Sequence, residues 1–148
     1  MPTGEEARIE YARVFSELDY SCEAVWRIVS AFGGVERWIA GVHTCAVEGS
    51  GVGAVRIVGL SGRTVRERLD DLDHAGHTIT YSVVPPHAMP AENVRGTIQL
   101  HAVSPGRTAI TWRSDATRIT GDAPALGARI EAFYSASIEG LRRLLAES

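Results

Sequence analysis

Arg56 and Glu67 are the pair whose types and spacing most suggest chemistry in this chain. Between them Ser61-Gly62 has the composition of a two-residue hairpin turn, which sets flanking residues face to face. Leu60 then pairs with Arg63, and Arg56 stands opposite Glu67. Strand alternation puts both on the face that carries Val58, Val65 and Leu69. A guanidinium and a carboxylate on an apolar face could grip a polar group of a ligand, or Glu67 could pass protons as a general acid or base. They could equally be an ion pair that only neutralises two inward charges.

Other side chains could join them. If the next hairpin closes around His74-Ala75-Gly76-His77, Tyr81 faces Leu69. Its phenol could donate to a ligand carbonyl, or be a core tyrosine bonded to backbone. His87 lies in the proline-rich segment Pro85-Pro86-His87-Ala88-Met89-Pro90 and is either an acid/base group or a solvated loop residue. His74 and His77 show no metal-ligand spacing and read as solvated turn residues. Trp38 is a ligand-stacking wall or a core anchor.

Composition removes many alternatives. All 15 basic residues are arginine, so neither lysine Schiff-base chemistry nor a P-loop is available. Metal-ligand spacings, nucleophile elbows and nucleotide loops are missing, and no cofactor is expected. Cys22 and Cys45 are expected as two thiols, neither bridged nor holding zinc. A net charge of -3 with interspersed signs argues against a nucleic-acid partner. No apolar run approaches the ~20 residues that span a bilayer, and the first residues lack the layout of a signal peptide. The expectation is a cytoplasmic single domain over residues 1–148, monomeric or homodimeric, with a hydrophobic small molecule as its partner.

The elements that would position these side chains follow from periodicity. Residues 14–18 alternate as a strand, and Asp19 and Ser21 offer caps for a helix over 22–32 with Val25, Trp26 and Val29 on one face. Gly33-Gly34 ends it, and a short second helix is expected over 35–39. Six strands follow, over 43–48, 54–60, 64–72, 78–84, 93–103 and 108–119, separated by glycine and proline turns. Short turns make the sheet an antiparallel meander. Residues 123–147 carry apolar side chains at helical intervals, and only this helix is long enough to cover the sheet. On it, Ala132, Ala136 and Gly140 form a small-residue stripe beside Phe133 and Ser137, which would leave space above the sheet or allow close packing.

Several segments are telling in this order: Glu23-Ala24-Val25-Trp26, Arg37-Trp38-Ile39, Gly53-Ala54-Val55-Arg56, Glu67-Arg68-Leu69-Asp70-Asp71-Leu72-Asp73, Tyr81-Ser82-Val83-Val84 and Thr111-Trp112. Together they resemble the START-like (SRPBCC) superfamily, which includes birch-pollen allergens, abscisic-acid receptors and bacterial polyketide cyclase/dehydratase proteins. The resemblance implies an α+β helix-grip fold: a seven-stranded curved antiparallel sheet wrapped around a long C-terminal helix, with two short helices between the first two strands. It implies an internal cavity for a hydrophobic ligand, with Glu67, and hence Arg56, pointing into it. Trp38, Val58, Leu60, Val65, Leu69 and Val83 would line that cavity from the sheet side, and Phe133 and Ser137 from the helix. Val58-Gly59-Leu60-Ser61-Gly62 resembles the receptors' gate loop, and Pro86-His87-Ala88-Met89 falls at their latch. The lysine those receptors use for the hormone carboxylate has no counterpart, which places the chain nearer the bacterial cyclase-like branch.

One position divides the arguments. Ile110, Trp112 and Ala116 alternate so as to turn Trp112 inward, whereas the resemblance turns Arg113 inward, with Asp115 on its face as a partner. For function, the resemblance implies a cofactor-free cyclase, dehydratase or related lyase or isomerase acting on a polyketide-like or aromatic substrate, with Glu67, Tyr81 and His87 as proton carriers. The alternatives are a carrier or sensor of a lipophilic metabolite and a protein-interaction module.

Overall fold

The computed structural model describes residues 7–147. The polar leader read for a signal peptide, residues 1–6, lies outside the described residues.

The chain opens on β1 (Ile9–Leu18), five residues earlier than the expected 14–18, with Ile9, Glu10, Arg13 and Phe15 exposed and the strand paired to a later one. Helix α1 (Cys22–Val29) begins where Ser21 accepts the Ala24 N–H at 3.1 Å, and it buries Cys22, Val25, Trp26 and Val29. It ends three residues short of expectation because Phe32 takes φ 59, a left-handed conformation that no helix continues through. The expected second helix is a three-residue 3-10 turn, Val35–Arg37, entered through Gly34 at φ 69.

Strands β2 (Val42–Glu48), β3 (Val55–Leu60), β4 (Arg63–Asp73) and β5 (Thr78–Val83) follow. An unexpected two-residue strand, β6 (Ala91–Glu92), is separated by Asn93, at φ 54, from β7 (Arg95–Ser104), which therefore starts two residues later than the strand expected over 93–103. The strand expected over 108–119 is broken at Thr117 into β8 (Arg107–Ala116) and β9 (Arg118–Ile119). The two breaks meet: the Asn93 amide donates to Thr117 Oγ1 at 2.8 Å, and β6 and β9 form their own small ladder. The chain closes on the 24-residue helix α2 (Ala123–Ala146), where Asp122 accepts the Ala125 N–H at 3.0 Å.

The seven long strands make one antiparallel sheet in the order β1-β8-β7-β5-β4-β3-β2. Register shifts in the β1–β8, β2–β3, β4–β5 and β7–β8 pairs strengthen its twist, so that it curls around α2. Helix and sheet therefore form the expected helix-grip architecture. Among the described residues no helix is long and apolar enough to cross a membrane.

Two glycines let α2 come close. A methyl group on Gly127 would sit 2.2 Å from the Tyr11 carbonyl oxygen, and one on Gly140 would sit 2.1 Å from that of Trp38. Between these points the helix seals the outer edge of β1. The Arg13 N–H donates to Glu131 at 3.0 Å, and Arg142 donates to the Glu17 carbonyl at 3.0 Å. Groups that an edge strand would offer to another chain are thus bonded within this one.

The small-residue stripe is corrected in part. Ala132 and Ala136 face solvent, because the buried side of the helix is set by Leu126, Tyr134, Ser137, Ile138 and Leu141, about 100° per residue away. Gly140 is buried, but for close packing rather than for open space. Gly140→Ala is therefore expected to lower stability by about 2–3 kcal/mol, because the clash is with backbone that cannot rotate away. Ala136→Ser, on the exposed face, should change it by less than about 0.5 kcal/mol. Urea unfolding midpoints of the two variants check this.

Candidate functional site

The β3–β4 hairpin turns at Ser61 (φ 38) and Gly62 (φ 82), the two consecutive positive φ values of a tight hairpin turn. Arg56 accordingly pairs with Glu67 across the strands, and Leu60 with Arg63. The segment resembling a gate loop is therefore strand β3 plus a two-residue turn, with no free loop to swing shut.

Arg56 is only 4% exposed, and two of its three guanidinium nitrogens are bonded within the protein. Its Nε donates to Glu67 Oε1 at 2.7 Å and its Nη1 to the Phe32 carbonyl at 3.0 Å. The guanidinium lies over the rings of Phe32 and Tyr81, at 4.5 and 4.8 Å from their centroids. The left-handed turn at Phe32 and the hairpin thus meet on one cation. Glu67 is less enclosed, with its side chain 16% exposed.

Tyr81 faces Leu69 in the β4–β5 pair and Gly96 in the β5–β7 pair. Its ring lies across Gly96, where an added methyl would sit 2.3 Å from the ring. The Trp112 indole donates to the Tyr81 hydroxyl at 3.0 Å. Trp112 in turn stacks on Tyr134 of α2, centroids 4.1 Å apart and planes 9° from parallel, and lies 5.7 Å from Trp38. Ser114 donates to Tyr11, and the Tyr134 hydroxyl lies beside those of Tyr81 and Ser114, close enough for both to act on its proton. An indole and three phenols thus form one polar chain between sheet and helix. Sequence reading missed Tyr11, Ser114 and Tyr134. Tyr134 stood in the helix's apolar repeat, and only the docked helix brings its hydroxyl to the sheet.

Packing is close at this point: Trp112 is 1% exposed, and Tyr81 and Tyr134 are 5% each. Openness lies to one side. Leu60 and Val65 on β3 and β4, and Ile130 and Phe133 on α2, all belong to inward-facing stripes yet stay half-buried. Val65 and Ile130 touch both the main core and a second apolar cluster around Val83, Val94, Ala116 and Leu126. The accessible apolar surface therefore runs along the seam between the hairpin and the helix, with Glu67 on the same strand face as Val65.

The remaining expected residues divide. Val58, Leu69 and Trp38 are buried in the main core. Ser137 is buried, and its hydroxyl ties the helix to the Ala40 N–H at 3.0 Å. Val83 belongs to the second cluster, away from the aromatic stack. Trp112, not Arg113, faces inward. Arg113 is on the outer face, joined by Arg8 and Arg95 around the buried Asp115 carboxylate, because one residue along a strand reverses the side. His87 is half-buried, and its Nδ1 accepts the Met89 N–H at 3.2 Å, which ties the ring to its own loop rather than to Glu67 or Tyr81.

The turn histidines are not merely solvated. The Trp26 indole donates to His74 at 3.1 Å, and His77 packs edge-on against Trp26 with its Nδ1 3.5 Å from the Cys22 sulfur. The β4–β5 turn folds back onto α1, a contact between segments far apart in the chain. Cys22 and Cys45 are free thiols. Among the described residues no three His, Cys, Asp or Glu side chains gather closely enough to hold a metal ion.

The site also titrates in a defined direction. Burial pushes the phenols of Tyr81, Tyr134 and Tyr11 above their ordinary range, and the Glu67 charge adds to the effect at Tyr81. Each binds its proton more tightly folded than unfolded, so their contribution to stability is intact below pH ~10 and is lost as pH rises above it. Tyrosinate absorbance should therefore appear late and together with unfolding, and Tyr81→Phe should flatten the alkaline fall in the urea midpoint. Arg56→Leu should cost about 3 kcal/mol, since it strands Glu67 and the Phe32 carbonyl. Glu67→Gln, which keeps an acceptor at a half-open position, should cost roughly 1 kcal/mol, measured the same way.

Comparison with known proteins agrees with this geometry. Residues 11–146 match the family described as polyketide cyclase / dehydrase and lipid transport. The fold is similar to a crystal structure of a protein from Bacillus thuringiensis (TM-score 0.81, 20% identity, covering 95% of this chain and 99% of that one). It is also similar to XoxI from Bacillus cereus (TM-score 0.79, 21% identity, 91% and 96% covered). A third similar structure is norcoclaurine synthase from Thalictrum flavum, a point mutant in complex with a transition-state analogue (TM-score 0.77, 12% identity, 98% of each chain covered).

Proposed function

Because the chain belongs to the polyketide cyclase/dehydrase and lipid transport family of the START-like superfamily, we propose that it binds a hydrophobic small molecule, polyketide-like or aromatic, at the seam between the β3–β4 hairpin and α2. One observation carries this reading. Leu60, Val65, Ile130 and Phe133 turn toward the interior and yet remain accessible, on two elements that flank the same seam. Apolar side chains so placed favour removal from water by about 25 cal/mol per Å² covered, and an apolar guest supplies that cover. Behind them the Tyr81, Trp112 and Tyr134 stack gives the seam a rigid aromatic backing.

The arrangement favours holding over transforming. Arg56 spends its Nε and Nη1 within the protein, and His87 is bonded within its own loop. The second reading, a cofactor-free cyclase or dehydratase, draws on a different observation: Glu67 is accessible and its charge is felt by the Tyr81 phenol. A carboxylate and a phenol at that separation could take a proton from one carbon of a folded substrate and return one to its oxygen.

The test is solvent extraction of the purified full chain followed by mass spectrometry. A lipophilic compound should accompany the protein, be lost from Val65→Glu, which puts a charge into the seam, and persist in Phe15→Glu on the exposed outer face. Recovery of the same compound from Glu67→Gln supports a carrier. A chemically different, precursor-like compound from that variant supports the enzyme. Equal extracts from Val65→Glu and the parent protein would sink both readings.

A further inference from the structure

A second opening lies at the C-terminal end of α2, a cleft of about 310 Å³ between that end of the helix and the segment carrying the 3-10 turn. Its walls include Trp38, Val42 and Leu144, and its rim carries Arg37 and Arg143. Three observations set it apart.

The first is charge. Eleven of the 15 arginines are held in ion pairs: Arg8, Arg13, Arg27, Arg56, Arg66, Arg68, Arg95, Arg107, Arg113, Arg118 and Arg142. Among the described residues Arg37, Arg63, Arg129 and Arg143 are in none, and two of these four stand on this one cleft. Glu36 and Glu147 share the rim without pairing to either. Arg37 spends only its Nε, on the Gly34 carbonyl at 3.3 Å, and the rest of its fork is unspent.

The second is an orphan donor. Trp38 is one of the residues that line the cleft, its ring centroid lies 5.7 Å from that of Trp112, and its indole N–H is buried with no acceptor among the described residues. Leaving such a group unpaired is costly, and a ligand acceptor would relieve it. The third is continuity. A methyl on Gly41, part of the cleft, would lie 3.6 Å from Leu60 Cδ2, so the cleft borders the accessible apolar seam.

We propose that this cleft is the acid-binding end of the ligand site: the ligand is an apolar molecule carrying a carboxylate or equivalent oxyanion, gripped by Arg37 and Arg143, with its body running past Leu60 into the seam. Guanidinium forks suit this role, since they bond both oxygens of such a group at once. The inference rests on the binding reading above but can fail separately from it.

Two dyes differing only in charge make the test. Anilinonaphthalene sulfonate is an aromatic oxyanion that fluoresces when shielded from water, and N-phenyl-1-naphthylamine is the same ring system without the sulfonate. The Arg37→Gln/Arg143→Gln double variant of the full chain should bind the sulfonate about five- to tenfold more weakly and the neutral dye within about twofold of the parent. Added salt should weaken only the sulfonate. Arg129→Gln, which removes an unpaired cation outside the cleft, should change neither dye. Unaltered sulfonate binding in the first variant overturns the proposal, as does equal loss of both dyes. A parent protein that takes up only the neutral dye overturns the acid end and leaves the apolar site standing; one that takes up neither dye overturns both.

Discussion

The close approach of α2 to the sheet is the constraint on which the remaining features depend. Gly127 and Gly140 admit backbone carbonyls of Tyr11 and Trp38 to where a side chain would otherwise stand. Thirteen residues apart on one helix, they set both the distance and the angle at which it lies. Glu131 and Arg142 then complete the free edge of β1, one accepting from an N–H and the other donating to a carbonyl. A helix held in this way cannot slide without unmaking backbone bonds, so the ring of Tyr134 arrives over Trp112 in a single register.

The interior that results is unusual in being aromatic and polar at once. Tyr11, Tyr81, Tyr134, Ser114 and Trp112 bond among themselves where aliphatic side chains would fill the same volume with no partner to find. Each bond depends on its neighbours, because a buried hydroxyl left alone costs about 1–3 kcal/mol. Arg56 shows the same economy: one cation joins the hairpin, the end of α1 and two rings. Such a network is rigid when complete. The half-buried aliphatic side chains of the seam are its softer border, where small displacements break no polar bond.

What could be read directly was whatever depends on neighbours along the chain. The Ser61-Gly62 turn sets the pairing of Arg56 with Glu67, because two residues leave only one register. Alternation was enough to turn Trp112 inward, whereas Tyr81 comes opposite Leu69, as the hairpin reading expected, only through the register shift between Leu69 and Asp71. Helical spacing found α2, and the order of elements found the architecture. Boundaries failed where backbone conformation departs from residue preference. Phe32 and Asn93 adopt positive φ without being glycine, and these ended α1 early and delayed the start of β7 to Arg95.

Long-range partners decided the rest. Ala132 and Ala136 share a stripe with Gly140 on paper, yet the helix rotates them to solvent because Tyr134, Ile138 and Leu141 bury more apolar area than they can. His74 and His77 look like turn residues until the hairpin folds onto Trp26. Tyr134 reads as one more apolar repeat until its hydroxyl meets Ser114. Local order thus determined where strands form, the register of the Ser61-Gly62 hairpin and which strand residues share a face, since those follow from bond geometry between adjacent residues. Only the folded chain decided which faces are filled, which stay accessible and which polar groups find partners, because those depend on how closely one helix lies against a curved sheet.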